Sequence, residues 1–359
     1  MSLSLPLERL CGQVIVAGFE DADLSAPLAT ALRKGERGGV IFFKRNLPTL
    51  THAVRTSSLI SSLAPPDLPP FIGVDEEGGR VFRLPEPALR LPPMRRLVAE
   101  QDEGLVEEAG CLIGEELAYA GFNLDFAPVL DVDTNPANPV IGDRSFGADP
   151  VSATRFALAF HRGLSRHVLG CGKHFPGHGD TDLDSHLALP TLRHGDARLR
   201  EIELPPFRAA AAAGMASLMT AHLVVEAWDP GVPATLSRKI CTELLRDELG
   251  YAGVLFSDDL LMKAVAELHP IEELAVSAIL AGCDVLLVCR DDELAARAHA
   301  GLVREAEKSP ALRARLEEAV GRALVARRAR VARADASALD GLLSSPRMKA
   351  FRERVGALS

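Results

Sequence analysis

No two of the six cysteines (11, 111, 171, 241, 283 and 289) form a Cys-x-x-Cys pair. They are scattered, and Cys171, Cys283 and Cys289 sit in apolar runs where a buried free thiol is the commoner state. Such usage fits a reducing compartment. A surplus of positive charge is also missing: 40 basic against 49 acidic residues give a net charge of −9 and a pI near 5.6. That excludes a general nucleic-acid binder. Nowhere is there a run of about 18 uncharged apolar residues, so no membrane span is expected. The N-terminal stretch MSLSLPLERLCGQVIVAGF lacks a basic leading segment, and Glu8 and Arg9 break its apolar run. It therefore does not read as a signal peptide. Cys11 follows Arg-Leu rather than the small residues that precede a lipoprotein cysteine, so the expected location is cytoplasmic. Internal repeats and low-complexity linkers are absent too, which favours one domain over several.

What the chain does have is alternation. Short apolar runs rich in Val, Ile, Leu and Phe recur at 13–19, 38–45, 70–77, 122–132, 169–175, 217–225, 253–259 and 284–290. Runs this continuous suit strands covered on both faces. Amphipathic stretches lie between them, for example 24–35, 103–121, 151–167, 238–250 and 271–282, with Gly35, Gly121, Gly250 and Gly282 where helix C-caps belong. Eight β–α alternations predict an α/β fold, a (β/α)8 TIM barrel over 1–307. Residues 308–359 are expected to form C-terminal helices packed on the barrel, without making a separate domain. A doubly wound open sheet would carry a Gly-rich phosphate turn after an early strand, but here the first run leads into GFEDADLS. The arginines of ALRARLEEAVGRALVARRARVARA are expected on a solvated helix face.

In such barrels the chemistry gathers at the C-terminal ends of the strands. Charged residues interrupt the apolar runs at those ends: Asp75-Glu76-Glu77, Asp131 with Arg144 in its loop, Lys173-His174, His222 and Asp258-Asp259. A lone strand-end aspartate often just caps the next helix, yet five strands converging on one rim are hard to explain by capping. Mixed carboxylates and cations suit a neutral polyol better than a nucleotide.

The densest cluster is KHFPGHGDTDLDSH, 173–186. Three chemistries fit these residues. A metal site has ligand types in His174, His178, Asp184 and His186, but Pro176-Gly177 forbids the helix that would align the first two histidines. Barrel metal hydrolases usually carry a His-x-His on the first strand, and none is present. Substrate-assisted cleavage of an N-acetylhexosaminide would use Asp75-Glu76, a pair whose side chains alternate sides on a strand. A retaining glycosidase would use Asp258 as nucleophile. Its acid/base would be His186, poised near neutral pH and oriented by Asp184 two residues away. The loop's glycine and proline, Pro176 to Gly179, would then act as a hinge over the sugar. His178, Asp180 and Asp182 read as loop-shaping. Asp259 reads as a cap or a brace for Asp258, Asp131 as closing its loop, and His222 as either a sugar contact or a satisfied strand-end histidine.

Taken together, VDEEGGRVFRL (74–84), FAPVLDV (126–132), IGDRSFG (141–147), KHFPGHGDTDLDSH (173–186), FSDDLLMKA (256–264) and AGCDVLLVC (281–289) resemble the family 3 glycoside hydrolases. The likeness is to their single-domain β-N-acetylglucosaminidase branch, the NagZ-like enzymes. The resemblance implies Asp258 as nucleophile and His186 with Asp184 as the acid/base dyad. It also implies that Asp75, Arg83, Arg144, Lys173 and His174 hold the sugar. It further implies no metal and no cofactor, and a saccharide or muropeptide substrate with terminal β-linked GlcNAc, such as the GlcNAc–1,6-anhydro-MurNAc muropeptides of cell-wall recycling. The expected enzyme is a monomer with no nucleic-acid or membrane partner. Two positions depart from relatives. Glu76 stands where many have Gln, placing an extra negative charge beside Asp75, and Leu261 replaces a small or polar residue. Some relatives carry a second αβα domain after the barrel, for which the last 50 or so residues are too few. A phosphorylase using the same site, a metal-dependent hydrolase and a non-catalytic muropeptide sensor are the alternatives to be separated.

Overall fold

The structure, a computed structural model, describes residues 5–181 and 189–358. Its strands in chain order are β1 (Ile15–Ala17), β2 (Gly39–Phe42), β3 (Phe71–Val74), β4 (Leu124–Asp125), β5 (Leu169–Phe175), β6 (Thr191–Leu192), β7 (Ser217–Thr220), β8 (Val224–Val225), β9 (Val254–Asp259) and β10 (Val285–Val288). Eight of them close a barrel in the order β1-β10-β9-β7-β5-β4-β3-β2, every neighbour parallel. The fold is a (β/α)8 barrel.

Alternation along each strand fills two separate cores. Val16, Ile41, Phe71, Leu124, Cys171, Met219, Phe256 and Leu287 point inward and pack together. Phe256 sits edge-on to Phe71 (5.3 Å) and Phe126 (5.5 Å), so the barrel is a packed core and not a pore. Ile15, Ala17, Val40 and Phe42 point outward into the larger core beneath the helices. The helix Ala26–Lys34 starts at a Ser25 side-chain cap and stops at Gly35, whose φ of 72° an L side chain rarely adopts.

Every expected run except 169–175 is trimmed, and two differ in more than their ends. Of 217–225, only Ser217–Thr220 joins the barrel; Val224–Val225 pairs instead with Thr191–Leu192. Of 122–132, only Leu124–Asp125 is regular, and Pro128 has no N–H to give a ladder.

The helix Pro310–Ala329 runs under the N-terminal end of the barrel; Arg313 and Arg328 are exposed as expected, but three of its arginines depart from expectation. Arg315 and Arg322 reach the fully buried Asp284 at the foot of β10, at 2.6 Å and 3.1 Å. Arg327 is itself fully buried, donating to Gln13 Oε1 (2.8 Å) and the Gly38 carbonyl (2.9 Å), with its guanidinium 5.2 Å from the Phe71 ring centre. Burial pulls it down to about 9. These side chains close the barrel floor and leave the opposite rim as the open end. No described helix is long and apolar enough to cross a membrane.

Candidate active site

A cavity of 310 Å³ opens at the C-terminal end of the strands. Its walls include six of the eight residues singled out from the sequence: Asp75, Arg83, Arg144, Lys173, His174 and Asp258. Asp184 and His186 lie outside the described residues, as does Asp182.

The strand period explains the polar wall. Asp75 and Glu77, two residues apart, face the cavity, while Glu76 between them faces away. Lys173 from β5 lies between the two acids, its Nζ 2.6 Å from Asp75 Oδ1 and 2.6 Å from Glu77 Oε1. Burial alone would lower the Lys173 ammonium, but Asp75 and Glu77 outweigh it and hold it above its usual value. Arg144 grips Glu77 through two bonds of 2.8 Å. Burial pushes Glu77 up, yet Arg144 and Lys173 pull it well below the carboxylate range. Arg83 Nη2 stands 3.6 Å from Asp75 Oδ2. The result is a nearly charge-neutral fork of donors and acceptors fixed before any ligand arrives.

Glu77 was not among the residues singled out as sugar-holding, though the two-residue period pointed to it. Asp131 does more than close its loop. It accepts from the His174 and His178 backbone N–H groups (3.1 and 2.7 Å), and His174 Nδ1 lies 2.7 Å from its Oδ2. Burial raises the Asp131 carboxyl, but His174 and His178 bring it below its usual range. A carboxylate there places the ring proton of His174 on Nδ1. His178 also lines the cavity, and burial lowers it to about 4, so its ring is neutral at pH 7. Its Nδ1 lies 2.7 Å from Thr181 Oγ1, and Asn138 donates to the carbonyls of His178 and Gly179. The expected hinge at 176–179 is thus an anchored, buried platform: a Cβ on Gly179 would stand 1.8 Å from the Val132 carbonyl oxygen.

At the end of β9, Asp258 accepts from the Asp259 N–H at 2.8 Å. Burial raises the Asp258 carboxyl, but His222, His174, that N–H and Lys173 outweigh it, leaving it below the usual value and ionised. Asp259 braces the turn, accepting from Leu261 N and Cys289 N at 3.1 Å each, and burial lifts it to about 6. His222 does not line the cavity. It is fully buried, with Nδ1 2.8 Å from Thr235 Oγ1 and Nε2 3.0 Å from the Asp259 carbonyl, and so supports the strand end from behind.

Glu76 does not add charge to the cavity. It is buried behind the wall, where Oε2 accepts from Arg83 N (2.8 Å) and Leu84 N (3.0 Å). Burial lifts it to about 7, and nearby Glu116 to about 8. A folded chain that keeps this proton to pH about 7, when the unfolded chain loses it near 4.5, is most stabilised by the group at low pH. That stability erodes as pH rises through 7. Glu76→Gln, neutral at every pH, is expected to flatten the fall in Tm across this window and to change kcat less than about twofold, since it touches no substrate. Thermal melts at pH 5 and pH 8, wild type against variant, check the sign; a steeper fall in the variant would contradict it.

Residues 7–326 match the family described as the glycosyl hydrolase family 3 N-terminal domain. The chain belongs to glycosyl hydrolase family 3. Two family relatives, both named beta-hexosaminidase, come from Chromobacterium violaceum and Alkalilimnicola ehrlichii. The first is 38% identical over 321 residues, covering 86% of each chain. The second is 39% identical over 286 residues, covering 78% of this chain and 81% of its own. Among solved structures, a family 3 β-N-acetylglucosaminidase from Paenibacillus superposes with a TM-score of 0.92 at 36% identity, over 99% of this chain and 69% of that one. NagZ from Neisseria gonorrhoeae, in complex with N-trifluoroacetyl-D-glucosamine, gives 0.80 at 32% identity over 97% and 98%. As a family 3 member the protein is a glycoside hydrolase, and its sequence resemblance and its fold agree.

Proposed function

We propose that the protein is a retaining, exo-acting β-N-acetylhexosaminidase that removes terminal β-linked GlcNAc through a glycosyl-Asp258 ester. The observation carrying this reading is an ionised Asp258 on the wall of a cavity already fitted with hydroxyl-binding groups. At 310 Å³ the cavity lies at the small end of the roughly 300–1,000 Å³ typical of small-molecule sites. One sugar ring fits such a space, and a chain does not, which supports action at a terminus.

In this reaction Asp75, Lys173, Arg83, Arg144 and His174 hold the sugar, and the Asp258 carboxylate attacks the anomeric carbon as the glycosidic bond breaks. His186, oriented by Asp184, gives a proton to the leaving oxygen, then takes one from the water that hydrolyses the ester. Side chains thus supply the first nucleophile and relay the protons, and water supplies the second nucleophile. The natural substrate proposed is a GlcNAc–1,6-anhydro-MurNAc muropeptide in cytoplasmic cell-wall recycling, handled by a monomer. The relatives' names, and the amino-sugar analogue bound by the gonococcal protein, support the GlcNAc preference.

A 5-fluoro-GlcNAc fluoride tests the central step. It is expected to inactivate the enzyme and leave its glycosyl group on the peptide carrying Asp258, read by mass spectrometry. An adduct on another carboxylate moves the nucleophile. Steady turnover without any adduct, and loss of activity in Glu76→Gln, would instead point to the substrate's own acetamide.

A further inference from the structure

Away from the cavity, on the outer helical layer, three side chains of different donor type converge. Cys111, Glu115 and His167 each present a ligand atom within 4.8 Å of the other two. Cys111 and Glu115 stand one helical turn apart on Glu103–Tyr119, hence on one face. His167 comes from the turn between the helix Pro150–Leu164 and β5. None of the three lines the sugar cavity.

A cationic group already sits among them. Arg347, on the C-terminal helix Pro346–Gly356, places Nη2 3.4 Å from Cys111 Sγ and Nη1 3.1 Å from Glu115 Oε2. Its Nε, 3.3 Å from Glu108 Oε1, has a second carboxylate to fall back on. We propose that Cys111, Glu115 and His167 form a binding site for a zinc-class divalent cation, which the Arg347 guanidinium fills when no metal is bound.

The geometry suits that class of ion. Cys111 Sγ and His167 Nε2 are 3.5 Å apart, and tetrahedral zinc with bonds of about 2.3 Å to sulfur and about 2.05 Å to nitrogen requires an S–N edge of roughly 3.5 Å. Thiolate, imidazole and carboxylate are each donors that zinc accepts, and three of them leave a fourth position for water. The backbones holding these ligands have little room to move. A Cβ on Gly163 would stand 1.9 Å from the Glu107 carbonyl oxygen, and one on Gly110 2.1 Å from that of Phe160, so the two helices touch backbone to backbone. Binding expels the thiol proton of Cys111 to solvent and the guanidinium of Arg347 towards Glu108.

Cobalt titration of the chelator-stripped full chain tests the proposal, because a cobalt–thiolate bond gives its own near-ultraviolet charge-transfer band. The expected result is one such band, saturating at one cobalt per chain and bleached by zinc. It should vanish in Cys111→Ser, weaken about tenfold or more in His167→Ala, and survive in Cys289→Ser, the one cysteine in the sugar cavity. A band arising instead from Cys289 and the cavity histidines would vanish in that control. Arg347→Ala should bind about threefold to tenfold more tightly, since a competing cation has been removed. That gain needs no destabilised ligand variant. No band in the wild type, a band that persists in Cys111→Ser, or weaker binding in Arg347→Ala each overturns the site.

Discussion

Asp258→Asn is expected to lower kcat on 4-nitrophenyl β-N-acetylglucosaminide by about 10⁴-fold or more, the scale seen when a nucleophile that acts as a unit with its partners is lost. The size follows from what the site invests in that carboxylate. Burial works against the charge at Asp258, and His222, His174, Lys173 and the Asp259 N–H are arranged to overcome it. An amide keeps the shape and the bond to Asp259 N–H, but it is neutral and scarcely nucleophilic. The substitution therefore removes the reaction's first step while leaving the pocket intact. KM and Tm should change little, which separates loss of chemistry from loss of fold. A variant retaining more than about a tenth of wild-type kcat, beyond any plausible contribution from binding alone, would show that another group carries the attack.

Lys173→Met should act on stability and catalysis together. Its side chain is 3% exposed, and its ammonium lies 2.6 Å from both Asp75 and Glu77. Methionine fills much the same space but leaves two carboxylates facing each other with Arg144 and Arg83 alone. Breaking a buried pair by removing one partner costs about 3–5 kcal/mol, so Tm should fall by several degrees. Loss of a charged donor to a sugar hydroxyl should also lower kcat/KM by about 10- to 150-fold, taking roughly 1.5–3 kcal/mol for such a bond. Melting curves and initial rates below KM read the two effects separately. A lower Tm with unchanged kcat/KM would make Lys173 a structural pin only.

The barrel was legible because its signal is local and repeated. Each strand announces itself by an apolar run, and the polar residue that ends the run marks the rim. Asp75, Lys173 and Asp258 could be placed that way, since strand direction alone puts them on the same end. What escaped depended on neighbours that sequence does not bring together. Asp131 looked like a loop residue, because its three bonds go to the backbone of 174 and 178 and to a ring 43 positions away. The segment 176–179 looked loose because glycine and proline often mark hinges, whereas here they permit contact with Val132.

Arg327 was misread for a different reason. Leu312, Leu316, Ala319, Val320, Ala323 and Leu324 make a buried stripe at helical spacing, and Arg327 falls on its next step. Charge suggested solvent, but position said core, and position won because Gln13 and the Gly38 carbonyl were there to receive the guanidinium. A similar oversight concerned Glu77. Once Asp75 is assigned to the inner face, a period of two assigns Glu77 there as well, whatever its charge.

The bond between Gln13 and Arg327 spans 314 positions, and that separation sets a timetable. At roughly 5–20 residues per second, a ribosome needs about fifteen seconds to a minute to travel from one to the other. Through that interval β1 and β2 exist without their floor, and β1 also waits for β10, its partner across the seam at Ile15 and Leu286. The first strands made are thus among the last to be enclosed. During synthesis the open flank of β1 is where a chaperone, or a second nascent chain, finds unpaired backbone.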